Sequence, residues 1–181
     1  MLVQTRSAKV FAVALISVAI GAVILKTLGH NPISAGAFSL SDYYRLEPIE
    51  KVLSSRAAQT SSRWSRIEIY YSGTKAGNIE QLASLSGLAS PENINCHFVI
   101  CNGLGGGDGQ IQPTEKWQEQ WSIILDPTWR GVGQTIRLCI IADGTITPPT
   151  DCQIKRTEAL VEGLSKKFNI QSASIYYPDN W

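Results

Sequence analysis

Few residues in this chain are suited to nucleophilic or metal chemistry: two histidines, His30 and His97, and four cysteines, Cys96, Cys101, Cys139 and Cys152. Cys96 adjoins His97, a thiol beside a base. The run Cys96 to Cys101 reads as a strand, however, and consecutive strand residues point to opposite faces. The two therefore cannot form a dyad. His97 and Cys101 would share a face, but about 13 Å of strand separates them. Ser72 has no second domain histidine to serve it as a base, so Ser/His/Asp catalysis cannot be placed. A hydrolytic zinc site uses three protein ligands and one open position. His30 falls in a linker, which leaves His97 alone and reads it as a hydrogen-bonded structural histidine. The glycine-rich stretch Gly103 to Gly109 lacks GxGxxG spacing and leads into a strand, so it reads as a hairpin rather than a phosphate cradle.

These residues sit in a chain of 181 residues with 16 basic and 15 acidic side chains. A net charge of +1 supplies no field for nucleic acid, and nucleic acid is excluded as a partner. Val10 to Leu25 is apolar and uncharged, with Arg6 and Lys9 before it and Lys26 after. Residues 1–28 read as an uncleaved signal anchor, a single transmembrane helix with its basic end in the cytoplasm. The alternative is a signal peptide cleaved near Ala35-Gly36-Ala37. Either way the domain is expected on the extracytoplasmic side of the cell membrane. Residues 29–62 read as a linker containing a short amphipathic helix, with Pro48 in its first turn and Ile49, Val52 and Leu53 at helical spacing. That helix either packs on the domain or serves as a stalk. The compact domain is expected over 63–181.

Within it, Trp64 to Tyr71 alternates as a strand, with Ile67 and Ile69 on one face and Arg66, Glu68 and Tyr70 on the other. Asn78 caps a helix running to Leu85. The strand Cys96 to Cys101, the Asp108-Gly109 turn and a return strand Gln110 to Gln112 make a hairpin. Pro113-Thr114 then opens a helical segment whose Trp117 and Trp121, at i, i+4, would share one face. Gln134 to Ala142 reads as a buried strand. Thr150 and Gln153 form a capping box that starts a helix with Leu160, Val161, Leu164 and Phe168 as its apolar stripe. Ser172 to Tyr177 is a last strand. The order predicts an α/β domain with a central mixed sheet flanked by helices. Exported cysteines allow disulfides. Cys96 and Cys101, on opposite faces, should not pair with each other, whereas either could pair with Cys139 or Cys152. Buried free thiols are the alternative.

Three stretches carry a family resemblance. Trp64…Ile67-Glu68-Ile69-Tyr70-Tyr71-Ser72-Gly73-Thr74 is similar to an opening that reads Trp, then Ile-Val-Ile-His-His-Ser-Ala-Thr. His97-Phe98-Val99-Ile100…Asp108-Gly109…Trp117…Gln120 resembles a Tyr-His-Phe-Val-Ile, Gly-rich, Asp-Gly and Trp-x-x-Gln region. Ile136 to Ile141 and Pro149-Thr150…Gln153 resemble the strand and helix start that follow. The family is that of type 2 N-acetylmuramoyl-L-alanine amidases and animal peptidoglycan recognition proteins, and the resemblance spans about Trp64 to Tyr177.

The resemblance implies the fold just described and a zinc-dependent cut in the cell wall, but the departures fall on the zinc ligands. Tyr70 stands where the first zinc histidine belongs, and Tyr177 stands near the place of the second. The third ligand lies past Tyr177. Cys96 replaces the catalytic tyrosine before the His-Phe pair, and no Gly-Ala-His follows Gln120. Tyr, with a pKa near 10, is a poor zinc ligand at neutral pH. The expectation is a catalytically silent domain with no catalytic residue, metal or cofactor, and with a groove formed by Tyr70, Tyr71, Ser72, Thr74, Cys96, His97, Trp117 and Tyr177. Its partner would be peptidoglycan, a muropeptide or an envelope protein. An active zinc amidase and a non-binding envelope scaffold are the alternatives.

Overall fold

Thr135–Ile140 (β4) is buried at every position, on both faces, because it occupies the middle of a five-stranded sheet. The computed structural model describes residues 45–123, 133–179 and 181. All of these belong to the second of two units into which the chain divides, Phe38–Trp181. The signal anchor expected over 1–28 lies outside the described residues. The other strands are Arg66–Tyr71 (β1), Phe98–Ile100 (β2), Ile111–Pro113 (β3) and Ile175–Tyr176 (β5), in the order β3-β2-β4-β1-β5. β4 pairs in parallel with both β1 and β2, β1 pairs in parallel with β5, and β2 and β3 form the antiparallel hairpin. A continuous apolar run is what a parallel strand covered on both faces requires.

Helices supply the cover. Asp151–Phe168 (α4) places Leu160, Val161, Leu164 and Phe168 in a core with Ile67, Ile69, Phe98, Ile136 and Leu138. Ile79–Leu85 (α2) contributes Leu82 to a smaller core with Ile94, Cys96, Val99, Cys101, Cys139 and Ile141, against which Tyr70 packs. The α/β architecture with a mixed central sheet and flanking helices is therefore as expected. So is the start of α4. The Thr150 side chain accepts from the Gln153 N–H, and the Gln153 side chain accepts from the Thr150 N–H. Asn78 caps α2 by accepting from Gln81 N–H at 2.9 Å.

Ile49–Val52 (α1) packs against the domain. Val52 and Leu53 are buried. Arg156 donates to the Glu47 carbonyl at 2.6 Å, and Trp117 Nε1 donates to the Ser54 carbonyl at 3.0 Å. Gly163 of α4 leaves room for this helix, since a Cβ there would lie 2.9 Å from Leu53 Cδ1.

Several elements are shorter than their sequence patterns. Glu115–Gln118 (α3) is one turn. Just past its C-cap, Gln120 adopts the left-handed conformation at φ 54° and turns the chain away. Trp117 and Trp121 therefore do not share a helical face: Trp117 is fully buried and Trp121 is 51% exposed. The last strand is two residues long, preceded by a 3₁₀ turn at Ser172–Ser174.

The alternation expected for Cys96 to Cys101 is broken at His97. The His97 N–H donates to the Arg137 carbonyl at 2.8 Å, while its carbonyl accepts from the Thr114 N–H on the other side at 2.9 Å. Its ring takes the Arg137 N–H at 3.0 Å, standing in for a ladder carbonyl. Past this point the parity shifts by one. Cys96 and Cys101, expected on opposite faces, lie in the same buried cluster, and His97 does not share the face of Cys101.

Candidate functional site

Tyr70 ends the α2-facing row of β1, with Cys139 beside it on β4. Above them opens a cleft of about 320 Å³. Tyr70, Ser72 and Cys139 come from the sheet, Leu82 from α2, and Leu88 and Asn95 from the connection to β2. The cleft exists because α2 is only seven residues long and leaves this end of the sheet uncovered. Its volume is at the lower end of the range for small-molecule sites, and its mixture of apolar walls and a few polar groups suits one.

The polar groups are tightly linked. Tyr70 donates to the Asn95 carbonyl at 3.2 Å. The Arg137 guanidinium lies 4.3 Å from the Tyr70 ring centre. Its Nε donates to Glu68 at 2.7 Å and its Nη1 to the Asn95 carbonyl at 2.6 Å. Burial, followed by the neighbouring thiols Cys96 and Cys139, pushes the Tyr70 phenol far above its ordinary value despite the opposing Arg137 charge. The phenol therefore stays protonated and acts as a donor. Ser72 shares a 2.8 Å hydrogen bond with Thr74 and meets the Ala142 backbone. Its partners are hydroxyl and peptide groups, none of them a base.

Of the expected groove residues, the structure brings together Tyr70 and Ser72, with Thr74 bonded to Ser72 and Cys96 fully buried in the cluster that Tyr70 packs on. Tyr71 turns to the α4-side core, where a Cβ on Gly144 would lie 2.6 Å from its ring. Trp117 and His97 are fully buried and do not line the cleft. His97 sits edge-on to Trp64 with ring centres 4.8 Å apart. Because Nδ1 accepts from Arg137, the ring is the neutral tautomer whose Nε2 donates to the Trp121 carbonyl at 3.0 Å. Burial lowers its pKa to about 4, with Arg137, Lys116 and Arg63 adding to the effect and the Trp121 bond opposing it. Tyr177 is 42% exposed and lies 5.4 Å from the Trp181 ring, away from the cleft. Sequence reasoning missed Arg137 and Asn95. A lone charge within an apolar buried strand requires a partner, and Glu68 on the neighbouring strand is in register with it.

Among the described residues, no group of three His, Cys, Asp or Glu side chains is placed to hold a metal ion. Zinc does not fit the donors present around Tyr70. The phenol is held protonated, and a guanidinium stacked on it would repel a dication.

No family model matches the chain, and no curated protein matches it. Among solved structures, the N-acetylmuramyl-L-alanine amidase AmiD from E. coli, in complex with anhydro-N-acetylmuramic acid-L-Ala-D-gamma-Glu-L-Lys, is 17% identical with a TM-score of 0.45. The alignment covers 67% of this chain and 50% of that one, so the chain spans about half of AmiD's length. So partial an overlap says nothing of what this chain binds.

Proposed function

We propose that the domain binds peptidoglycan fragments in the Tyr70 cleft without cleaving them, on the outer side of the membrane to which Val10–Leu25 tethers it. The observation that carries this reading is the Arg137 guanidinium over the Tyr70 ring. It puts an organic cation beside the position where the resemblance expects a zinc ligand, while the cleft stays open at about 320 Å³. Such a site offers hydroxyls at Tyr70 and Ser72 and apolar walls at Leu82 and Leu88. A short peptide with small side chains and amide groups suits those surfaces. Among the described residues that line the cleft there is no histidine or carboxylate to act as a base, which fits binding rather than hydrolysis.

Retention on purified sacculi tests the reading. The wild-type chain should be retained, and Tyr70→Ala should weaken retention by about tenfold, equivalent to ~1.4 kcal/mol. Tyr177→Ala should match the wild type, because Tyr177 lies outside the cleft. Muropeptides should remain intact with or without added zinc. Chelator-sensitive release of the peptide from muramic acid would overturn the proposal, and equal retention of Tyr70→Ala would move the site elsewhere.

A further inference from the structure

β1 lays a polar row along the sheet face on which the cleft opens. Arg66, Glu68 and Tyr70 alternate with the buried Ile67 and Ile69, and all three are partly exposed. The register sets Arg137 of β4 on one side of Glu68 and Tyr176 of β5 on the other. α2 covers this face only at the cleft end, where Leu82 packs with Val99, Cys139 and Ile141. Toward Arg66 the row stays open. Tyr176 is 45% exposed, and the Glu68 side chain is 30% exposed against 8% for its partner Arg137.

The fold leaves bonding capacity on both outer charges. Arg137 Nε donates to Glu68 Oε2 at 2.7 Å, and Oε1 has no hydrogen-bond partner among the described residues. The Arg66 guanidinium lies 4.8 Å from the Tyr176 ring centre and makes no hydrogen bond among the described residues. Stacking on a ring holds a guanidinium in place while its donor edge stays available to a carboxylate. A solitary surface charge is ordinary. Here two of opposite sign stand in line with the cleft, one fixed by an ion pair and the other by a ring. At about 3.3 Å per residue they are roughly 7 Å apart along the strand, and Arg66 is about 13 Å from Tyr70. An extended peptide of about four residues covers the longer distance, and the four-carbon stem of a lysine covers the shorter one.

We propose that Glu68 and Arg66 form a second subsite, continuing the cleft along β1, that takes the charged end of a bound stem peptide: an ammonium at Glu68 and a terminal carboxylate at Arg66. This rests on the reading of the cleft as a muropeptide site. The stem then ends in a diamino acid such as lysine, with its backbone amides at Tyr70 and Ser72. Glu68 can take the ammonium because it is the more exposed member of its pair, and Arg137 beneath it keeps its place under the Tyr70 ring. The cleft itself selects for amides and small apolar groups, and the row selects for charge.

The test titrates the full chain, purified in detergent at low ionic strength, with four soluble muropeptides. The first has a stem ending in lysine with its ammonium and carboxylate free. In the others the lysine Nζ is acetylated, the carboxylate is amidated, or both. Acetylation and amidation should each weaken binding about threefold, the worth of a partly exposed ion pair, and both differences should shrink in high salt. Arg66→Gln should lose the preference for carboxylate over amide and keep the preference for the free ammonium. Because Glu68 also holds Arg137, its role is read from the ligands rather than from a variant. Equal affinity for all four ligands, or a carboxylate preference that survives in Arg66→Gln, would overturn the subsite and leave the cleft reading standing. Binding of none of the four would overturn both.

Discussion

The Arg137 guanidinium stacks on the Tyr70 ring at 4.3 Å and joins Glu68 at 2.7 Å. One buried cation thus supports the cleft floor through three different contacts, the third being the Asn95 carbonyl at 2.6 Å. Arg137→Met keeps the stem and removes the charge. It should cost about 2 kcal/mol, less than the breaking of a fully buried pair, because Glu68 is partly exposed and stays hydrated. The midpoint of urea denaturation measures it, and an unchanged midpoint would show that the ion pair contributes nothing net.

His97 makes stability depend on pH. Its folded pKa of about 4 lies below the ordinary 6.5. As pH falls from 6.5 to 4, the unfolded chain binds a proton that the folded chain refuses, so stability declines over that window. The loss should be on the order of 3 kcal/mol by pH 4. Denaturation series between pH 7 and pH 5, above the range where carboxylates dominate, should show the slope in wild type. The slope should be absent in His97→Gln, even though that variant is less stable at every pH.

Gln153 Nε2 donates to the Ile100 carbonyl at 2.9 Å and the Ile141 carbonyl at 3.1 Å, at the ends of β2 and β4. Gln153→Leu keeps the volume, takes this donor from the buried Ile141 carbonyl, leaves the Ile100 carbonyl with the Ile141 N–H alone, and removes half of the capping box. It should destabilise by about 3 kcal/mol. Thr150→Ala, which loses the cap and the hydroxyl's exposed bond to Asp108, should cost about 1 kcal/mol.

The two tryptophans at i, i+4 should behave oppositely. Trp117→Ala removes a fully buried ring that packs on Phe98 at 4.5 Å and should cost roughly 4 kcal/mol or prevent folding. Trp121→Ala should change stability by less than about 0.5 kcal/mol. Comparable losses would restore the helical face that the spacing suggested.

The framework was legible where one local rule governs: alternation in Arg66–Tyr71, the strongly apolar stretch around β4, the capping box at Thr150 and Gln153. Interior parity of the Cys96 to Cys101 stretch was not. It depends on His97, whose ring replaces a backbone acceptor, and nothing in the letters marks a histidine as a surrogate carbonyl. The cleft was half legible. Tyr70 and Ser72 could be named from the resemblance, but Arg137 enters the site only through the β1–β4 register, which sets Glu68 beside it. The match at His97 and Trp117 pointed to residues that build the opposite core and leave the cleft to others.

The reach of Gln153 has a consequence for folding order. The amide that starts α4 also closes the ends of two strands that meet only once residues about forty apart have paired. Initiation of that helix is thereby tied to completion of the sheet. Amide exchange in the first turn of α4 should accordingly open together with that of β2 and β4, as one cooperative event, while the far end of the helix frays independently.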